Sequence, residues 1–257
     1  MTKYNTLTAM NKTYKEFDSR EEFVQSLGHW HYDKSIPAQH EFKKIAVVDM
    51  DYSRELAEIK KDLEAIKQTW NDQSIKTIRK EVAKTTNAEF NMDVMTAQEH
   101  DKLRAGYDVN KAMYHVKKVE AGSVWEKIGQ QFGLDNALIR FHIQFPGDVT
   151  IWHTDIFAPH HELLPKGLNL NEQTVGHDLG IRRIIIALED WDWGQCFMFG
   201  AQTWSQWQAG DVIFWKFGTP HCAANMGFTP RISMSVTGLE TEKFKQLVDQ
   251  IAWTQQN

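Results

Sequence analysis

The stretch Arg231-Ile232-Ser233-Met234-Ser235-Val236-Thr237 alternates strictly between polar and apolar side chains. Period two is the mark of a β-strand, whose successive side chains point to opposite faces. Ile232, Met234 and Val236 line one face; Arg231, Ser233, Ser235 and Thr237 line the other. A polar inner face is costly unless it meets a ligand or water, so this strand is read as the wall of a pocket. From residue 138 onward further short strands are expected at 138–144, 149–155, 181–188, 195–199 and 212–216. Turn signals such as Pro146-Gly147-Asp148 and Ala209-Gly210-Asp211 punctuate them. Strands at this density imply a jelly roll or a related barrel.

Upstream the pattern is different. A short strand is expected at 44–49, then a helix capped by Ser53 and running to about residue 70. Leu56, Ile59, Leu63, Ile66 and Trp70 recur at three and four residues along it and form one apolar stripe. Further helices are expected around 21–27, 74–84, 96–105 and 122–132. A last one, over 240–253, carries Phe244, Leu247, Val248 and Ile251 on one side. The reading is one domain over 1–257, mainly β with a helical N-terminal layer. Its parts are a helical support (1–135) packed outside one sheet, a double-stranded β-helix core (136–240) and a C-terminal helix (241–257).

Two further segments carry chemistry. In Trp152-His153-Thr154-Asp155 the histidine and the carboxylate, two residues apart on a strand, point to one side while Thr154 faces away. His221 lies 66 residues beyond Asp155 and must come from a separate strand folded back alongside. Two imidazoles and one carboxylate on one face of an octahedral ion leave the opposite face open for substrate and oxygen, the arrangement of non-haem Fe(II) oxygenases. Arg231, ten residues after His221, adds a fixed cation a strand's length away. Arginine's planar fork grips a carboxylate with two parallel hydrogen bonds, which points to a second, anionic ligand.

The segment from about Asn136 to Gly238 resembles the Fe(II)/2-oxoglutarate-dependent oxygenases. It is nearest the branch of aspartyl/asparaginyl and free-amino-acid hydroxylases. The matching elements run in order: Pro146-Gly147, His153-x-Asp155, Arg182-Arg183, Gly210-Asp211, His221 with Asn225, and Arg231-x-Ser233. The resemblance implies that His153, Asp155 and His221 hold Fe(II), and that Arg231 and Ser233 hold the distal carboxylate of 2-oxoglutarate. It implies dioxygen as the third reactant. One of Arg182 and Arg183 is expected to face the pocket; Arg183 is favoured because it shares a face with Ile185 and Ala187. The related radical halogenases replace the ligand carboxylate with a small residue, whereas Asp155 stands here, so hydroxylation is the expected reaction.

The expected substrate is a small polar metabolite, a free amino acid in the first instance. The alternatives are a protein or peptide side-chain hydroxylase and a non-catalytic metal-binding cupin-like module. The latter has no reason for an Arg231-x-Ser233 anchor. A net charge of −5 gives no electrostatic reason to expect nucleic acid or an anionic membrane as partner. No apolar run approaches the roughly 18 residues of a membrane span, and no apolar signal core follows Met1. The two cysteines, Cys196 and Cys222, make no disulfide framework, and a cytoplasmic location is expected. Six of the ten tryptophans fall between Trp152 and Trp215, so large flat side chains build the pocket region.

The remaining polar candidates have two readings each. His142 and Gln144 either touch the co-substrate or are satisfied interior groups. The acids of Glu189-Asp190-Trp191-Asp192 either hold a cationic substrate or form an acidic turn, the latter favoured for Asp192. Trp204 and Trp207 are expected in the core, and Asn225 on backbone or pocket hydrogen bonds. His160-His161-Glu162 is read as a solvated loop and His29-Trp30-His31 as packing. The long stretch 157–180 is read as a cover over the substrate.

Overall fold

The computed structural model describes residues 4–7, 14–17, 42–67, 114–116, 121–153, 155, 180–216 and 219–251. Twelve strands and three helices fall within them. A hairpin of β1 (Tyr4–Leu7) and β2 (Tyr14–Phe17) is followed by β3 (Phe42–Val47), α1 (Ser53–Lys67), β4 (Tyr114–Val116) and α2 (Val124–Gln130). Then come β5 (Leu134–Gln144), β6 (Val149–His153), β7 (Ile181–Ala187), β8 (Gln195–Phe199) and β9 (Gln202–Trp204). The chain continues through β10 (Asp211–Trp215), β11 (His221–Asn225), β12 (Arg231–Glu240) and α3 (Glu242–Asp249).

From β5 onward the pairing is nested. β5 pairs with β12, β6 with β11, β7 with β10 and β8 with β9, all antiparallel. The segment is one long hairpin rolled up on itself. Its tip is the two-residue turn Gly200–Ala201 between Phe199 and Gln202, where Gly200 takes φ +51°. Glycine at the first central position is what a tight hairpin of this hand requires. Rolling sends the strands alternately to two sheets: β3-β10-β7-β12-β5-β4 and β6-β11-β8-β9. This is a double-stranded β-helix, and the protein is mainly β.

Side-chain alternation assigns the faces. Phe141, Ile143, Ile184, Ile186, Phe214, Ile232, Met234 and Val236 form one buried cluster with Ile59, Trp125, Ile128, Phe132 and Phe244. The three helices therefore cover the outer face of the six-stranded sheet. Ile185, Ala187, Ile213 and Trp215 pack instead with Phe197, Phe199, Trp204, Trp207 and Ala223 of the opposing sheet or its turns. The polar face of β12 is directed into that interior.

Local signals explain the helix ends. Ser123 accepts from Glu126 N while Glu126 accepts from Gly122 N (2.6 Å), close to a capping box. Thr241 caps α3. At α1 the expected cap is displaced: Ser53 is the first helical residue, and Asp51 accepts from both its N–H (3.0 Å) and its hydroxyl. The core strand β5 begins at Leu134, earlier than alternation alone indicates, because Asn136 departs from regular extension with φ 52°. Helices expected at 21–27, 74–84 and 96–105 lie outside the described residues, as does the 157–179 part of the expected cover.

Candidate metal and anion site

Strand register brings two of the three expected ligands together. His153, the last residue of β6, is the partner of His221, the first of β11. A bulge separates this pair from Ala223 and Thr150, adding one residue to β6 and re-phasing its alternation. Asp155 follows two residues later and is buried, its Oδ2 3.8 Å from His221 Nε2.

The environment of His221 settles which nitrogen faces the carboxylate. Nδ1 lies 2.9 Å from the Thr219 carbonyl, so it carries a proton and donates, and Nε2 is the nitrogen turned toward the carboxylate. Trp215 and Phe199 flank the ring at 5.0 and 5.8 Å. This is how proteins fix an imidazole for metal binding, with the outer N–H tied to a carbonyl. Bonds of about 2.0–2.2 Å to nitrogen and oxygen span donors from roughly 3 Å apart at a right angle to about 4.2 Å in line. The 3.8 Å separation lies within that span, wider than adjacent positions of an octahedral ion require. Among the described residues no three ligating side chains gather; the third expected ligand, His153, enters through its backbone register.

At the far end of the interior lies Arg231, the partner of Gln144 across β12 and β5. It is 2% exposed, its guanidinium 3.8 Å above the Phe197 ring, with Nη1 donating to the Cys196 carbonyl at 3.2 Å. Arg231 Nε and Nη2 and the Ser233 hydroxyl are buried with no hydrogen-bond partner among the described residues. Burial pushes the Arg231 pKa down to about 9. Phe197 escaped sequence reading. Its alternation with Phe199 put both rings on one face, but nothing named the cation above it.

Arg183 and Arg182 take different sides. Arg183 donates through Nη1 to Asp155 Oδ1 and through Nε to Thr237 Oγ1 (2.9 Å). Arg182 forms a fork-to-fork pair with Glu240, both contacts 2.9 Å. Arg183 thus shares the Asp155 side, yet it does not join Arg231 and Ser233. Its partner position Thr237 lies six residues from Arg231 along β12, about 20 Å at strand rise.

The other candidates resolve into structure. His142 lies 2.8 Å from Ser235 Oγ, and Gln144 donates to Thr150 Oγ1 (3.2 Å) and the Ala223 carbonyl (3.3 Å). Gln144 Oε1 has no partner among the described residues. Asn225 ties three backbone groups, donating to Gln144 O and Thr229 O and accepting from Gly227 N. Asp192 accepts from Trp193 N and Thr229 Oγ1, which hold its carboxyl below the usual range. Asp190 accepts from Ala209 N, and Glu189 pairs with Lys60. The acidic segment is a turn fastened at each carboxylate. Trp204 and Trp207 are core. His29, His31, His160 and His161 lie outside the described residues.

No family model and no curated protein matches this chain. Solved structures resemble it distantly. The protein TT1209 of Thermus thermophilus is 15% identical, covering 51% of this chain and 86% of its own, with a TM-score of 0.31. A predicted oxalate decarboxylase from Thermotoga maritima is 19% identical, covering 49% and 78%, with a TM-score of 0.29. A cupin 2 conserved barrel domain protein from Salinispora arenicola is 12% identical, covering 54% and 85%, again with 0.29. Likenesses of this size leave the fold assignment to the strand order above and carry nothing about chemistry.

Proposed function

We propose that this chain is an Fe(II)- and 2-oxoglutarate-dependent dioxygenase that hydroxylates an unactivated C–H bond of a small polar metabolite, a free amino acid foremost. The observation that carries the reading is the buried Arg231–Ser233 donor set, short of acceptors among the described residues, on the interior whose Phe197, Phe199 and Trp215 reach to His221. A buried cation is expensive unless paired. A dicarboxylate would supply the missing acceptors, with Arg231 and Ser233 holding one of its carboxylates. A metal-binding barrel without catalysis has no use for the Arg231 donors.

In this reading His153, Asp155 and His221 hold the iron, with His221 ligating through Nε2 because Thr219 O holds the proton on Nδ1. Arg231 and Ser233 grip the distal carboxylate, and Phe197 keeps the guanidinium plane in place from below. Phe199, Trp215 and Ile213 exclude water from the interior. When bound, iron supplies the activation of dioxygen that side chains cannot. The overall reaction takes one 2-oxoglutarate and one dioxygen to succinate, carbon dioxide and a product heavier by one oxygen atom.

The test is an anaerobic titration of the Fe(II)-loaded protein with 2-oxoglutarate, followed by the weak visible charge-transfer band of the chelated acid. A saturable band is expected in the wild type. Its absence, with iron bound, overturns the co-substrate assignment. An amino-acid panel scored for succinate, under labelled dioxygen, then tests the reaction type. A chlorinated product in chloride buffer would reject hydroxylation.

A further inference from the structure

We propose that Arg183 is a positioning residue that occupies one oxygen of Asp155, so that the carboxylate meets a metal ion through its other oxygen alone. The proposal rests on the metal reading above. Its basis is the way two sheets meet at this carboxylate. Arg183 belongs to β7 of the six-stranded sheet, and Asp155 follows β6 of the other. The guanidinium is held from behind by Thr237 Oγ1, its partner across β7 and β12, and donates forward to Asp155 Oδ1. Asp155 Oδ2 is the oxygen turned toward His221 Nε2, at 3.8 Å.

Carboxylates bind metal ions with one oxygen or with both, and the choice sets how many positions remain. A roughly six-coordinate ion with three single-point protein ligands keeps about three positions for small molecules. A chelating Asp155 would leave about two. A bidentate 2-oxoacid and a further small molecule need all three. Because Arg183 is anchored at Thr237, it does not follow the carboxylate if the latter rotates to chelate. Rotation therefore breaks a charge-assisted hydrogen bond, the stronger class of such bonds. Outer partners of this kind commonly set the geometry of metal ligands.

The experiment uses the full chain loaded with Mn(II) alone, whose bound waters are counted by electron–nuclear double resonance in labelled water. About three waters are expected in the wild type and about two in Arg183→Met, with Mn(II) affinity not lowered. Arg183→Lys, which keeps one cationic donor, restores about three. An Arg183→Met protein with three waters, or one that no longer binds Mn(II), overturns the proposal. A wild type that binds no Mn(II) overturns the metal reading itself. A measurement on the wild type guards against a variant that does not fold. With aspartate carboxyls carrying carbon-13, Mn(II) binding is expected to widen the splitting between the two carboxylate stretches, as single-oxygen ligation does. A narrowed splitting overturns the proposal.

Discussion

In the proposed function, Arg231 sets stability against ligand binding. Among the described residues its buried guanidinium meets one carbonyl and one aromatic face. Replacing a buried ion by an apolar side chain of similar length often stabilises a fold. Arg231→Met is therefore expected to raise the unfolding midpoint of the ligand-free protein by a few degrees, about 1–2 kcal/mol, measured by calorimetry. With excess Mn(II) and 2-oxoglutarate the order should reverse. Arg231→Ala should raise the 2-oxoglutarate concentration needed for half-saturation at least tenfold, as losing one partner of a buried charge pair costs about 2–5 kcal/mol. Metal affinity should hold. Cys222 presents the opposite case. Burial pushes its thiol up to about 12 from 9.0, so across that window the native protein keeps a proton the unfolded chain releases. Stability therefore falls as pH rises from about 9 toward 12. Cys222→Ala should flatten that fall in the unfolding midpoint. Maleimide should label Cys222 much more slowly in the native than in the denatured protein.

At the scale of elements, β8 and β11 are clamped beyond their ladder by two touching turns. Met226 N donates to Gly194 O (2.8 Å), and a Cβ on Gly227 would run into the Trp193 carbonyl. Gly194 itself holds φ +88°. Gly227→Ala is expected to cost roughly 1–3 kcal/mol in a urea titration, because its Cβ would meet the Trp193 carbonyl. A wild-type midpoint for this variant would show that the turns are not in forced contact. Elements also mark what the sequence made legible. β12 was plain because its two faces meet different surroundings, helices outside and polar interior inside. The choice of Arg183 over Arg182 followed from the same logic, since Ile185 and Ala187 pack between the sheets. β9 has three residues and β1 and β2 four each, too short for any period to emerge. The bulge in β6 and the contact of Arg183 with Asp155 depend on register between distant strands, which no local pattern encodes.

For the whole molecule, the proposed site and the larger apolar cluster lie on opposite faces of one sheet. The outer cluster of Trp125, Ile128, Phe141, Phe244 and their neighbours contains none of the candidate site residues. Trp125→Ala should thus cost about 3–5 kcal/mol of stability while the surviving folded fraction keeps its metal affinity, read by calorimetric titration. Ligands should act in the other direction. One that binds only the folded state at a hundred times its Kd adds about 2.7 kcal/mol. Mn(II) with 2-oxoglutarate is therefore expected to raise the unfolding midpoint, and a chelator to lower it again. No such shift in the wild type would argue against the ion and the acid binding the native barrel.

A strand early in the described chain is fastened to its C-terminal helix. Lys43 on β3 donates to the carbonyls of Val248 and Ile251 at the end of α3, 205 and 208 residues away. The nested pairing makes many other contacts comparably remote, β5 with β12 above all. Contacts of such separation are slow to form, since loop closure must precede their reward. During synthesis β5 and β7 emerge with their partner β12 still unmade, and β6 before its partner β11; Arg231 leaves the ribosome after every expected metal ligand. An ion that arrives before release finds His153 and Asp155 on a half-built sheet edge without Arg231 beyond them. In the proposed function, a barrel that holds both ion and acid forms only once β12 has been made.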